Sequence, residues 1–209
     1  MLLKNVKKSY GKNVVFEDFS YEFDDHKITV VLGGSGVGKT TLLNIIANTI
    51  DYDGYVDEKS VSYVFQEDRL IPNLTVKENI ELVNNSIDVV EKLNEFELGE
   101  YENKYIQELS AGMSRRVSIL RALVHTADIY LMDEPFRNLD YSLKYKLMDF
   151  VKDFHKKNNA GIIIVTHDID VATYLADKII VLGNGKIEKE IKTISKNTRE
   201  QLLKFFISK

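Results

Sequence analysis

The sequence predicts an α/β domain: a largely parallel sheet covered on both faces, with a helical insertion in its middle. Three observations carry that prediction. Short apolar strings such as Ile162 to Val165 and Ile179 to Leu182 have the length of strands buried on both sides. In the second half of the chain, strand-like strings alternate with stretches of helical spacing, the pattern of parallel strands joined by crossover helices. From about Asn73 to Thr126 the spacing is helical throughout.

Period-2 alternation with aromatic and β-branched residues predicts strands at Leu2–Val6, Val14–Phe23, Ile28–Leu32, Gly54–Val56 and Val61–Phe65. A helix starts within Gly38-Lys39-Thr40-Thr41 and runs through Leu42, Leu43, Ile45 and Ile46. In the inserted region Val76, Ile80 and Val83 recur at threes and fours, as do Val89, Leu93 and Phe96. Ser110 stands as the N-cap of a helix whose apolar face is Val117, Leu120, Leu123 and Val124. A strand (Ile129–Met132), a helix (Leu143–Lys156), a strand (Ile162–Val165) and a helix (Val171–Ala176) follow. Then come a hairpin turning at Gly183-Asn184-Gly185 and a last helix around Gln201–Ile207, whose Leu202, Leu203, Phe205 and Phe206 read as core packing. With two prolines, Pro72 and Pro135, and neither repeat nor linker, residues 1–209 read as one domain with a helical subdomain at about 70–125.

Composition excludes several classes. With 44% hydrophobic and 29% charged residues the chain is globular rather than disordered or collagen-like. Its 28 basic and 32 acidic residues, a net charge of −4, lack the basic footprint of a nucleic-acid binder, so no nucleic-acid partner is expected. Zero Cys removes disulfides, thiolate metal sites and Cys nucleophiles together. The opening residues Met1 to Lys8 turn polar too early for a secretory signal. No stretch approaches the roughly 18 apolar residues of a membrane helix, so attachment to a membrane would run through a partner.

Two segments carry chemistry. Gly33-Gly34-Ser35-Gly36-Val37-Gly38-Lys39-Thr40 fits G-x-x-x-x-G-K-[ST], between an apolar strand and a helix. Glycines let several backbone N–H groups curl around one anion, and the helix N-terminus adds partial positive charge. Lys39 then neutralises β/γ-phosphate charge, and the Thr40 hydroxyl offers a ligand to Mg²⁺. The second segment, Asp128 to Pro135, is an apolar strand ending in two carboxylates. Asp133 reaches the sheet edge where a phosphate loop also ends, and can hold Mg²⁺ directly or through water. Strand alternation sends Glu134 to the opposite side, as a group that orients or deprotonates a water.

Leu109-Ser110-Ala111-Gly112-Met113 resembles the L-S-G-G-Q signature of ATP-binding cassette (ABC) ATPases. The resemblance spans nearly the whole chain, with the other motifs in the family's order. Tyr10 looks like the aromatic that stacks on adenine, Gly33 to Thr40 (with Thr41 beside it) like the Walker A loop, and Gln66 like the Q-loop glutamine. Asp133-Glu134 is similar to Walker B with the catalytic glutamate, Asn138-Leu139-Asp140 to the D-loop, and His167 to the switch histidine. Ala111 and Met113 depart from the signature, and Arg137 adds a charge beside the D-loop. The resemblance implies a P-loop NTPase of ABC type: a mainly parallel core sheet, an N-terminal antiparallel β subdomain and an inserted helical subdomain.

It further implies a head-to-tail, ATP-dependent homodimer. Lys39 and Thr40 of one copy would share each γ-phosphate with Ser110 and Gly112 of the other. Thr40, Gln66 and Asp133 would hold Mg²⁺, Glu134 would align the water, and His167 would contact the γ-phosphate. The segment Phe65 to Val76 is similar to importer ATPases of the nitrate, sulfonate and taurine group, and Met113 points the same way. A transmembrane permease docked at the Gln66-to-Ile80 region and the helical insertion is then expected, with import as the direction and an extracytoplasmic solute-binding protein upstream. The chain would lie in the cytoplasm, peripheral at the inner face of the membrane. A soluble, non-transport ATPase of the same superfamily and a module that binds ATP without turning it over are the alternatives. The first usually carries long inserts or tandem cassettes that this chain lacks; the second is opposed by Glu134 and His167.

Overall fold

Nine strands, seven α-helices and two short 3-10 helices (Gly99–Tyr101 and Ile106–Glu108) follow one another in the described residues, 1–208, of the computed structural model. The strands are β1 (Leu2–Tyr10), β2 (Asn13–Glu22), β3 (Ile28–Leu32), β4 (Asp53–Val56), β5 (Val61–Val64), β6 (Ile129–Asp133), β7 (Gly161–Thr166), β8 (Lys178–Gly183) and β9 (Lys186–Ile191). The helices are α1 (Lys39–Ile46), α2 (Val76–Glu81), α3 (Val89–Glu95), α4 (Ala111–Val124), α5 (Tyr141–Asn158), α6 (Ile169–Leu175) and α7 (Thr198–Ile207). None is long and apolar enough to cross a membrane.

The strands form two sheets, a three-stranded antiparallel one in the order β2-β1-β4 and a six-stranded one in the order β5-β6-β7-β3-β8-β9. The larger is parallel except for β9, which returns beside β8 through the Asn184-Gly185 turn, both residues at positive φ. Its central strands show no polar alternation because both faces are covered. In β7, Ile162 and Ile164 enter one apolar cluster while Ile163 and Val165 enter the other. The first cluster gathers residues of α2 to α7, from Ile80 to Leu202; the second gathers α1 and the inner face of the antiparallel sheet, from Leu3 to Phe19.

Pairing register sets the working edge of the main sheet. Leu32 pairs with Thr166 and Asp133 with Val165, so the residues that follow β3, β6 and β7 emerge side by side.

The bounds differ from expectation where side-chain pattern is silent. β1 runs on past Val6 to Tyr10 because Lys8, Ser9 and Tyr10 still pair with β2, and a ladder on an exposed face tolerates polar residues. α2 stops at Glu81, leaving Val83 outside, and Phe96 is the C-cap of α3. α5 begins at Tyr141 and α7 at Thr198, each earlier than the apolar spacing shows.

Candidate active site

The loop between β3 and α1 curls by placing Gly36 at φ 78° and Gly38 at φ 102°, conformations costly for other residues. At Gly38 even an alanine would collide, its Cβ meeting Val15 Cγ1 at 2.7 Å. The turn throws Lys39 back over the loop, where its Nζ donates to the carbonyls of Gly33 and Gly34 at 2.9 and 2.8 Å. Burial lowers the Lys39 pKa, against the opposing pull of Glu134 and Asp133.

A cavity of about 640 Å³ opens over this loop. Gly34, Ser35, Gly36, Gly38, Lys39, Thr40 and Thr41 line its floor. Gly33 and Val37 are not in that lining. Gly33 instead supplies a carbonyl to Lys39, and Val37 packs into the core beneath. Tyr10, half exposed, stands at the rim beside Asn13 and Val15, with Lys8 Nζ 4.9 Å from its ring centroid. Gln66, Asp133, Glu134, Arg137 and His167 close the cavity.

Both acids face this one cavity, which corrects the expectation that strand alternation separates them. Asp133 is the last residue of β6, but Glu134 lies beyond it with φ 45°, and that left-handed turn cancels the alternation. Asp133 is 3% exposed, and burial raises its pKa. The Thr40 hydroxyl, Lys39 and Arg115 counter that rise, while Glu134 adds to it. Glu134 is held by three donors. Thr166 Oγ1 donates to Oε2 at 2.7 Å, the His167 backbone N–H donates to Oε1 at 3.1 Å, and His167 Nδ1 pairs with the same oxygen at 2.7 Å. The His167 ring is otherwise open to solvent, its side chain 63% exposed.

The remaining sequence-chosen residues lie outside the cavity. Ser110 caps α4, its hydroxyl accepting from the Met113 N–H at 3.3 Å, and Gly112 follows in the first turn. Asp140 caps α5, its carboxylate accepting from the Leu143 N–H at 3.0 Å. Sequence reasoning did not choose Asn13, Val15 or Arg137, which also line the cavity, or Thr166, which holds Glu134. Thr166 reads as an ordinary strand residue, and only its place directly before His167 could have pointed to it.

The donor set suits a magnesium nucleotide. Thr40, Gln66 and Asp133 offer oxygen ligands, which a hard divalent cation prefers, and a buried carboxylate beside a second acid gains most from such a cation. The volume is in the range of small-ligand pockets, and the loop N–H groups and Lys39 supply its positive side.

The profile of a family described as ABC transporter matches residues 16–137. The aliphatic sulfonates import ATP-binding protein SsuB 1 of Pseudomonas savastanoi pv. phaseolicola is 36% identical over 194 residues, covering 88% of this chain and 82% of that protein. Its counterpart SsuB in Bacillus subtilis is 39% identical over 196 residues, covering 85% and 77%. Among solved structures, the dimeric post-hydrolysis state of the ATP-binding cassette MJ0796 bound to ADP and Pi superposes with a TM-score of 0.82 at 30% identity, covering 91% of this chain and 97% of that one.

Proposed function

The chain belongs to the ABC transporter family, and from that premise we propose that it is the ATP-hydrolysing subunit of a membrane importer, acting as a head-to-tail pair beneath a permease. The observation that carries the reading is the fixed Glu134 carboxylate facing the same cavity as Lys39.

Each residue then has a task. The loop N–H groups and Lys39 take the β- and γ-phosphates, and Tyr10 stacks on the adenine. Thr40, Gln66 and Asp133 would hold Mg²⁺, which would supply charge neutralisation on the transferring phosphoryl group. Glu134 Oε2 accepts one hydrogen bond from Thr166 and keeps acceptor capacity for the O–H of a water. Because Thr166 and His167 fix its orientation, the attacking water meets a preset base. His167, exposed on its other side, contacts the γ-phosphate. Hydrolysis removes the group that both copies grip, Ser110 and Gly112 of the partner included, and so releases the pair.

We read residues 70–125 as the helical subdomain that meets the permease. The chain then works on the cytoplasmic face of the membrane, fed by an extracytoplasmic solute-binding protein. Both relatives named above are aliphatic sulfonates import ATP-binding proteins, which makes aliphatic sulfonates the solutes to test first.

Glu134→Gln tests the core of the reading. It keeps the shape and removes the base, so phosphate release should fall by a factor on the order of 100 or more while MgATP still binds. Undiminished phosphate release would remove Glu134 from the role.

A further inference from the structure

Arg115 sits on α4, 8% exposed, with its whole guanidinium fork committed to one short segment. Nη1 donates to the Phe65 carbonyl at 2.9 Å, Nη2 donates to the Gln66 carbonyl at 2.5 Å, and Nε faces Asp68 Oδ1 at 3.2 Å. Burial lowers its pKa while Asp68 and Asp133 draw it up, so the charge is desolvated and paired. The segment it grips carries Gln66 to the wall of the nucleotide cavity. The helix it belongs to begins at the Ser110 cap, outside that cavity.

Two neighbours on α4 hold the same segment further along. Ser118 Oγ donates to the Asp68 carbonyl at 3.2 Å, and Arg121 Nη2 donates to the carbonyls of Asp68 and Arg69 at 3.3 and 3.0 Å. Neither reaches Phe65 or Gln66. Losing Arg115 therefore unties the Gln66 end from α4, leaving it held by the stacking of Phe65 on Tyr63 of β5, while the far end stays tied to α4.

We propose that Arg115 is a positioning residue that locks the Gln66 segment to α4, so that nucleotide seated in one cavity sets the Ser110 turn for the nucleotide of the partner copy. This rests on the head-to-tail reading given above. A planar fork that donates to two adjacent carbonyls and faces a carboxylate transmits displacement in a way a single flexible ammonium does not. A helix is stiff along its axis, so a shift at Arg115 reappears at the Ser110 cap, about one and a half turns away.

The test separates nucleotide binding from pairing. MgATP affinity is measured by calorimetry, and ATP-dependent dimerisation by sedimentation, in the parent, Arg115→Ala, Arg115→Lys, Gln66→Ala and the Arg115→Ala/Gln66→Ala double variant. Arg115→Ala should bind MgATP within about twofold of the parent and dimerise on the order of tenfold more weakly, the effect of losing a charge-assisted hydrogen bond. Arg115→Lys should fall between the two, and the double variant should be no worse than the poorer single one, because both act on one link. Parent-like dimerisation of Arg115→Ala, or additive losses in the double variant, overturns the proposal. Should Arg115→Ala fail to fold, parent-like dimerisation of Arg115→Lys overturns it equally. A parent that binds MgATP and stays monomeric overturns the head-to-tail reading itself, and the lock with it.

Discussion

Asp133 costs the fold something in order to be ready for a cation. Its pKa is raised above the usual 3.8, first by burial, so the folded chain binds a proton more readily than the unfolded one. Between the two values stability falls as pH rises, because ionising the buried carboxylate is harder in the folded state. Asp133→Asn removes that penalty and keeps the shape, so at neutral pH it should melt above the parent while losing Mg²⁺-dependent ATP turnover. Melting curves across the acid-to-neutral range check the sign: the gap between variant and parent should widen as pH climbs. Identical curves at neutral pH would mean that burial places no strain on the charge. At this scale the chemistry of both acids was legible from residue type and neighbourhood. Their shared orientation was not, since the turn at Glu134 is a backbone angle that no hydrophobic period records.

Helix α2 is built around a single amide. Asn79 is fully buried; its Nδ2 donates to the carbonyls of Ile71, Leu74 and Thr75 at 3.1, 3.3 and 3.0 Å, and its Oδ1 accepts from the Ile71 N–H at 2.8 Å. Asn79→Ala strands those backbone groups, and chemical denaturation should show a loss of about 2–3 kcal/mol. An effect below about 0.5 kcal/mol would show that water replaces the amide. The core strands of the main sheet were legible because their runs are almost wholly apolar, with polar residues such as Asp133 and Thr166 confined mostly to their ends. The bounds of α2 were less so, although Thr75 and Glu78 form a capping box that the sequence spells out and apolar spacing passes over. Asp140 shows the reverse difficulty. It was chosen for its motif, and in the folded chain its carboxylate starts α5.

At the scale of the molecule, the cavity joins parts distant in the chain, from Tyr10 to His167, so a ligand there stabilises the whole. MgATP at about 100 times its Kd adds roughly 2.7 kcal/mol, worth an upward shift in melting temperature of about 5–10 °C for a chain of this size. Thermal melts with and without MgATP check this, and Lys39→Ala should abolish the shift. A wild-type chain indifferent to MgATP would mean the cavity binds something else. The strand order adds a consequence for biosynthesis. β3, which launches the phosphate loop early in the chain, is flanked in the sheet by β7 and β8. On the ribosome, a nascent polypeptide halted before Gly161 would hold every residue of that loop and neither of the neighbours that seat it. Competence for nucleotide therefore arrives late in translation, once the carboxy-terminal strands have emerged to close around a segment made long before them.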